Sequence, residues 1–344
     1  MKRITQLDGL RAVAILAVFV HHAVGTMLLW SGVDLFFILS GFLITNILLE
    51  AKQHSIRGYF AHFYERRARR ILAPYLLTLA GVSLLLGVAW TQYWYFYIFL
   101  ANFLMPLNLP MPYALQPLWS LAVEEQFYIF WPFAVYFLSE RRLRGLSILL
   151  MVMALLLRVG IHFDTFWPTY MLTPFRMDLL AAGALLCLIW RQKPELVKKH
   201  GLWFGVTCMS IGVIGLPLER YFGLARTVNT RLANGLLYET ALLLWLGFMV
   251  YALAGRWVGW LRFPGLRFIG RISYTMYLVH LPIIVFLQSW IPHTGVRLAL
   301  AAFPIALAYA SLSWYVMESK LLRSNGARSA AVTLRVQEQE TSGD

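Results

Sequence analysis

A series of apolar stretches, each about as long as a bilayer is thick, constrains this chain more than any other feature. A helical span needs about 20 mostly apolar residues. Such stretches occupy 10–30, 33–51, 71–90, 118–138, 145–162, 173–190, 201–218, 234–254, 272–291 and 296–318. Of 344 residues, 60% are hydrophobic and 13% charged, against about 45–50% and about 25% in soluble domains. A soluble domain cannot cover itself with so few charges. A cytosolic enzyme, a secreted domain and a disordered regulator are therefore excluded, and an all-α, multi-pass membrane protein is expected. The net charge of +14 would point to nucleic acid on a soluble chain. Here basic loops that hold orientation explain it, and no nucleic-acid partner is expected. Cys187 and Cys208 lie within apolar stretches and give no metal spacing or disulfide framework. The start, MKRITQLDGLR, runs into the first stretch without a small-residue cleavage site, which predicts a retained span.

Loop charge sets the topology. Basic residues gather in 52–70, 139–144, 191–199 and 255–271 and beside both termini. An eleventh apolar stretch, 93–109, is shorter and runs into MPLNLPMP, whose prolines break helices. If it does not cross, all those clusters lie on one side, and only Arg220, Arg226, Arg231 and Arg297 face the other. By the positive-inside rule this predicts ten spans with both termini cytoplasmic and 93–109 as an outer interfacial or re-entrant piece. Residues 1–323 are expected to form one transmembrane domain, and the polar tail 324–344 to be disordered.

Charges inside a bilayer are expensive, and each is a functional hypothesis by default. The spans hold Arg11, His21, His22, Asp34, Glu124, Glu125, Arg158, Arg176, Asp178, Glu239, His280 and Glu318. The alternative is buried pairing, which competes evenly for Arg158 and for Asp178 with Arg176. Arg11 and His22 are eleven residues apart. At about 100° per residue they fall about 20° from the same face, with a rise of about 16 Å, and His21 falls on a different face. That geometry suits a ligand that anchors an anionic head at Arg11 and delivers a reactive end at His22. The pantetheine arm of coenzyme A has about that reach. In FYERRARRI, Arg67 and Arg70 share a face, and arginine forks suit phosphate, although a topogenic cluster reads the same way. In LWSLAVEEQFYIFWP, Glu124 and Glu125 are adjacent, so at most one enters a cavity, to bind acceptor hydroxyls or orient a histidine. Trp119 offers a flat surface for a sugar ring or for packing. Asp34 pairs with a base or binds substrate. Packing is the favoured role of Ser40 and Gly41.

Six segments, LDGLRAVAILAVFVHH, GVDLFFILSGFLIT, FYERRARRI, LWSLAVEEQFYIFWP, FRMDLLAAGALL and ISYTMYLVHLPI, occur in this order. Together they closely resemble the acyltransferase-3 family of integral membrane acyltransferases, over about residues 5–320. The resemblance implies a ten-helix domain in the inner (cytoplasmic) cell membrane. It takes an acyl group, usually acetyl from cytoplasmic acetyl-CoA, and passes it to a hydroxyl of a cell-surface or exported glycan. No cofactor is implied beyond acyl-CoA as donor. The resemblance places the family's arginine and histidine on Arg11 and His22, its basic-loop arginine pair on Arg67 and Arg70, and its glutamate on Glu124 or Glu125. His21 stands where tyrosine is common. His22 is then the general base or is itself transiently acetylated. Some members carry a fused SGNH-type domain. None follows the last span in this sequence, so any second acyl-handling step is expected to need a separate partner. The competing function is a transporter or flippase with charges lining its path, and a membrane scaffold is the third.

Overall fold

The computed structural model describes residues 4–26, 28–87 and 93–321. The expected tail 324–344 lies outside the described residues, as do Lys2 and Arg3. Each of the ten apolar stretches contains a long helix: α1 (Gln6–Val24), α2 (Gly32–Ala51), α3 (Ile56–Leu86), α4 (Leu118–Phe137), α5 (Glu140–Gly160), α7 (Met177–Gln192), α8 (Pro194–Tyr221), α9 (Arg231–Ala254), α10 (Pro264–Leu287) and α11 (Val296–Ser313). The remaining helix, α6 (Trp167–Met171), is one short turn in the connection before α7.

Among the described residues, eight of these helices are long and apolar enough to cross a membrane. The exceptions have clear causes. Helix α4 carries the polar run Glu124, Glu125 and Gln126, and α7 has only 16 residues. Helix α3 starts at Ile56, well before the apolar stretch at 71. Its basic segment is helical because Arg, Ala and Glu are good helix formers, and Ser55 caps the start by accepting from the Gly58 N–H at 3.3 Å. Segment 93–109 forms no long helix. It makes 3-10 turns at Trp94–Phe96 and Ala101–Phe103 and is tied to α4 by Gln126, whose Nε2 donates to Phe99 O at 3.0 Å and Asn102 Oδ1 at 2.9 Å.

Side-chain contacts at successive heights fix the helix directions. Ser40 meets Glu124 and Trp131 meets Thr45, so α2 and α4 run parallel. Asp34 meets Arg176 and Asn46 meets Arg191, so α2 and α7 also run parallel. Arg158 meets Asp178 and Arg144 meets Gln192, so α5 and α7 run antiparallel. These directions bring the connections 52–55, 138–139 and 193 to one end, where Lys52 donates to Leu138 O at 2.8 Å. That end is called basic below. Small residues let the central helices touch backbone to backbone. A Cβ on Gly41 would collide with the Leu180 carbonyl, and one on Gly183 with the Ile38 carbonyl. Helices α1, α2, α9 and α10 are the most buried of the long apolar helices, while α5 and α11 present most of their surface outward. Exposed Leu84, Phe130, Ile214 and Leu300 belong to the apolar belt. This is a multi-pass membrane architecture.

Candidate functional site

Two groups of side chains face inward along α1, at its two ends. At the basic end a cavity of about 650 Å³ is bordered by α1, α2 and α3, with Arg11, Ser40, Arg66, Arg67 and Arg70 on its wall. A second cavity of about 340 Å³ shares Arg11 and Arg70 and adds Arg69, Arg271 and Trp314. Arg67 lies flat on the Tyr128 ring, its guanidinium carbon 3.8 Å from the centroid. This cation–π contact is linked to a carboxylate. The Tyr128 hydroxyl donates to Glu124 Oε2 at 3.0 Å, and the Ser40 hydroxyl donates to Glu124 Oε1 at 2.8 Å. Ser40 is therefore a hydrogen-bonding cavity residue, and the packing role expected for the pair falls to Gly41 alone. Glu125 projects differently, and its Oε1 is buried with no hydrogen-bond partner.

Arg11, Arg67 and Arg70 form no ion pair within 4.0 Å among the described residues. The buried arginines of the opposite half behave otherwise. Arg158 donates to Asp178 Oδ2 at 2.7 Å and to Phe175 O at 2.6 Å, and it also pairs with Glu239. Arg176 pairs with Asp34, each 1% exposed. Asp178 is the partner of Arg158, not of its near neighbour Arg176, because side chains two apart on a helix do not face each other. Asp34 pairs with Arg176 through Oδ1, the first of the two roles expected for it, and its Oδ2 is buried with no hydrogen-bond partner.

Beyond the centre, a cavity of about 430 Å³ is lined by His21, His22, Trp30, Trp119, Tyr170 and Tyr277 among others. A neighbouring one of about 320 Å³ shares His21, His22, Trp30 and Tyr113 and adds Arg220 and Thr294. Trp119 is buried, its ring 5.9 Å from Phe37 and 4.7 Å from Tyr170. Tyr113 lies outside the long helices and is about half exposed, at 51%. His21 also lines both cavities, although helical phase puts it on another face than His22. The helix ends three residues after His21, at Val24, with Gly25 in the left-handed conformation, and His21 Nδ1 is 2.6 Å from Thr26 O in the turn that follows.

His22 Nδ1 lies 3.0 Å from Val18 O and 3.3 Å from His280 Nε2. His280, fully buried on α10, is the residue that sequence reasoning left outside the site. Its signal was the histidine of ISYTMYLVHLPI. The carboxylate expected near the imidazole is elsewhere, since both oxygens of Glu124 are engaged at the basic cavity. Arg11 and His22 thus both turn inward, but they open into separate cavities with no lining residue in common. Between them Tyr277 closes on α4, its hydroxyl 2.5 Å from Ser120 Oγ and 2.9 Å from Pro117 O. Among the described residues no cluster of His, Cys, Asp and Glu suits a metal.

Residues 4–318 match the family described as an acyltransferase domain. YrhL of Bacillus subtilis is 29% identical, over 94% of this chain and 55% of its own length. The O-acetyltransferase OatA of Staphylococcus aureus is 28% identical, over 83% of this chain and 51% of its own. The peptidoglycan O-acetyltransferase OatA of Listeria monocytogenes is 28% identical, over 94% and 56%. The chain spans about half the length of the curated relatives it matches. No solved structure matches it.

Proposed function

The chain belongs to the acyltransferase-3 family, matching it over residues 4–318, and from that premise we propose that it is a membrane O-acetyltransferase. The donor is acetyl-CoA from the cytoplasm, and the acceptor is a hydroxyl of a cell-wall or other exported glycan. The membrane is the cytoplasmic one. Ten helices cross it, α4 and α7 included, which puts the basic end and both termini in the cytoplasm as the positive-inside rule requires. The names of the relatives favour peptidoglycan as the glycan.

The observation that carries this reading is the contrast between the arginines. Arg158 and Arg176 are neutralised by carboxylates of the chain. Arg11, Arg67 and Arg70 border a cavity without such partners, on the face of α1 that leads to His22. The arginines outnumber the acids on the same walls, Asp8 and Glu318, so a net positive charge faces the cavities and suits a phosphorylated ligand, and the forks of Arg67 and Arg70 can clasp phosphate bidentately. The diphosphate of CoA would bind there, and the thioester would reach His22 along α1 only by displacing Tyr277 from its contacts with Ser120 and Pro117, which separate the two cavities. The acceptor would enter between Trp119 and the tyrosines of the other cavity. His22 takes the hydroxyl proton, the hydroxyl oxygen bonds to the thioester carbonyl carbon, the C–S bond breaks, and the proton passes to the CoA thiolate. Glu124 acts by holding Ser40 and Tyr128, and through Tyr128 it places Arg67.

The test uses membranes given radiolabelled acetyl-CoA, with label counted in glycan. Wild type should label it, and His22→Ala should not, although it still inserts. Near wild-type labelling by His22→Ala removes the histidine from the mechanism. A transporter gives no label at all and no thermal shift with CoA.

A further inference from the structure

We propose that His280 is a positioning residue for His22: it accepts the Nδ1 hydrogen of that imidazole and thereby keeps the lone pair on Nε2. This rests on the reading that His22 is the base.

The argument starts from backbone carbonyls, which only accept hydrogen bonds. His280 Nδ1 lies 2.6 Å from Tyr277 O, so Nδ1 carries the hydrogen. A neutral imidazole has one N–H, and the other nitrogen accepts. His280 Nε2 is therefore an acceptor, and it faces His22 Nδ1 at 3.3 Å. Val18 O also faces His22 Nδ1, at 3.0 Å. Both neighbours are acceptors, so His22 Nδ1 carries its hydrogen and Nε2 carries the lone pair. The reverse tautomer would point a nitrogen lone pair at the Val18 carbonyl. The ring centroids are 5.1 Å apart and the planes tilted by 55°, so the contact runs edge to edge rather than as a stack.

Two carbonyls, one on α1 and one on α10, thus set two rings in series. The consequence is chemical. When His22 takes the acceptor proton on Nε2, its Nδ1–H keeps two acceptors that stabilise the imidazolium. In hydrolytic triads a carboxylate does this. Here an imidazole and a carbonyl do it, which leaves Glu124 committed to the basic cavity. His280 is 0% exposed, so its position is set by packing and does not vary with solvent.

The experiment compares His280→Gln, His280→Asn and His280→Ala in the radiolabelled acetyl-CoA assay. A glutamine oxygen reaches about as far as Nε2 and still accepts from His22. An asparagine amide reaches only about as far as Nδ1 and does not. A hydrogen bond to a group that becomes charged is worth about 10- to 100-fold in rate. His280→Asn and His280→Ala should lose that in kcat, with KM for acetyl-CoA unchanged. His280→Gln should stay within about threefold of wild type. A purely structural histidine would not separate the two amides, which are also the variants expected to fold if alanine does not. A second readout needs no turnover. Nitrogen-15 NMR of labelled histidines in bilayers should show His22 with its hydrogen on Nδ1 in wild type and in His280→Gln. Equal activity of the two amides, or a wild-type His22 with its hydrogen on Nε2, overturns the proposal while the acetyltransferase reading stands. Full activity in His22→Ala overturns the proposal together with His22 as the base, and a wild type that labels no glycan overturns the acetyltransferase reading.

Discussion

Replacing Asp34 by asparagine separates a structural charge from a functional one. Asp34 and Arg176 are each 1% exposed. Arg176 is otherwise surrounded by aromatic faces, its guanidinium carbon 5.0 Å from the Tyr238 centroid, 5.5 Å from Tyr170 and 5.9 Å from Phe37. Asp178 is committed to Arg158 at 2.7 Å. Asp34→Asn therefore leaves a buried guanidinium without its carboxylate. Breaking a buried pair from one side costs about 3–5 kcal/mol. At about 2 °C per kcal/mol for a large chain, the apparent Tm should fall by roughly 6–10 °C. Removing both charges, as Asp34→Leu with Arg176→Met, should return stability to within about 1–2 kcal/mol of wild type. The assay is thermal unfolding of detergent-purified protein by intrinsic tryptophan fluorescence, with acetyl transfer measured in parallel. Asp34→Asn melting with wild type while transfer is lost would refute the reasoning and return Asp34 to the acceptor site.

Three further outcomes follow from the same geometry. Gly41→Val and Gly183→Val drive side chains into the Leu180 and Ile38 carbonyls; each should cost at least about 1–3 kcal/mol, read as a lower Tm. Arg70→Lys keeps the charge but loses the fork, so KM for acetyl-CoA should rise about tenfold or more while KM for glycan stays, and an unchanged donor KM would move the phosphate site away from the basic cavity. Trp119→Ala should do the converse, raising the glycan KM and leaving the donor KM within about twofold, as steady-state labelling at varied donor and acceptor would show.

The helices were legible because a membrane leaves little choice. Twenty apolar residues in lipid must satisfy their own backbone, and only a helix does so. The prolines of 105–112 marked the piece that forms no long helix. The start of α3 was not legible from hydropathy, since the segment before residue 71 is charged yet helical. Partner choice was harder. Arg11 and His22 could be related because eleven residues on one helix have a fixed phase. Asp34 with Arg176, and His22 with His280, lie 142 and 258 residues apart. Their meeting depends on which helices run side by side, and no local pattern encodes that. Helical phase also misjudged His21, because the cavities at the end of α1 reach around to it, where its ring meets Thr26 O in the turn after the helix.

The distribution of charge now separates two jobs that the sequence mixed together. In the half of the bundle away from the basic end, three acids and two arginines interlock across α2, α5, α7 and α9. Buried ions of that kind are tolerated only when paired, and removing one partner is destabilising. In the basic half, the chain spends Glu124 on two hydroxyls instead of on an arginine and holds Arg67 by an aromatic face. A face orients a guanidinium without neutralising it, so Arg67 keeps its positive charge directed at the cavity it borders with Arg11 and Arg70. Charges once buried in the bundle need the first arrangement, whereas the second leaves a positive charge facing the cavity. The second is what a site for a phosphorylated donor requires, because charge neutralised inside the protein is no longer available to a ligand. Removing the Arg67 charge, by Arg67→Gln, should therefore lower stability by no more than the cation–π contact, about 0.5–2 kcal/mol, while weakening donor binding. Retained CoA affinity in that variant would show that the arginines serve topology alone.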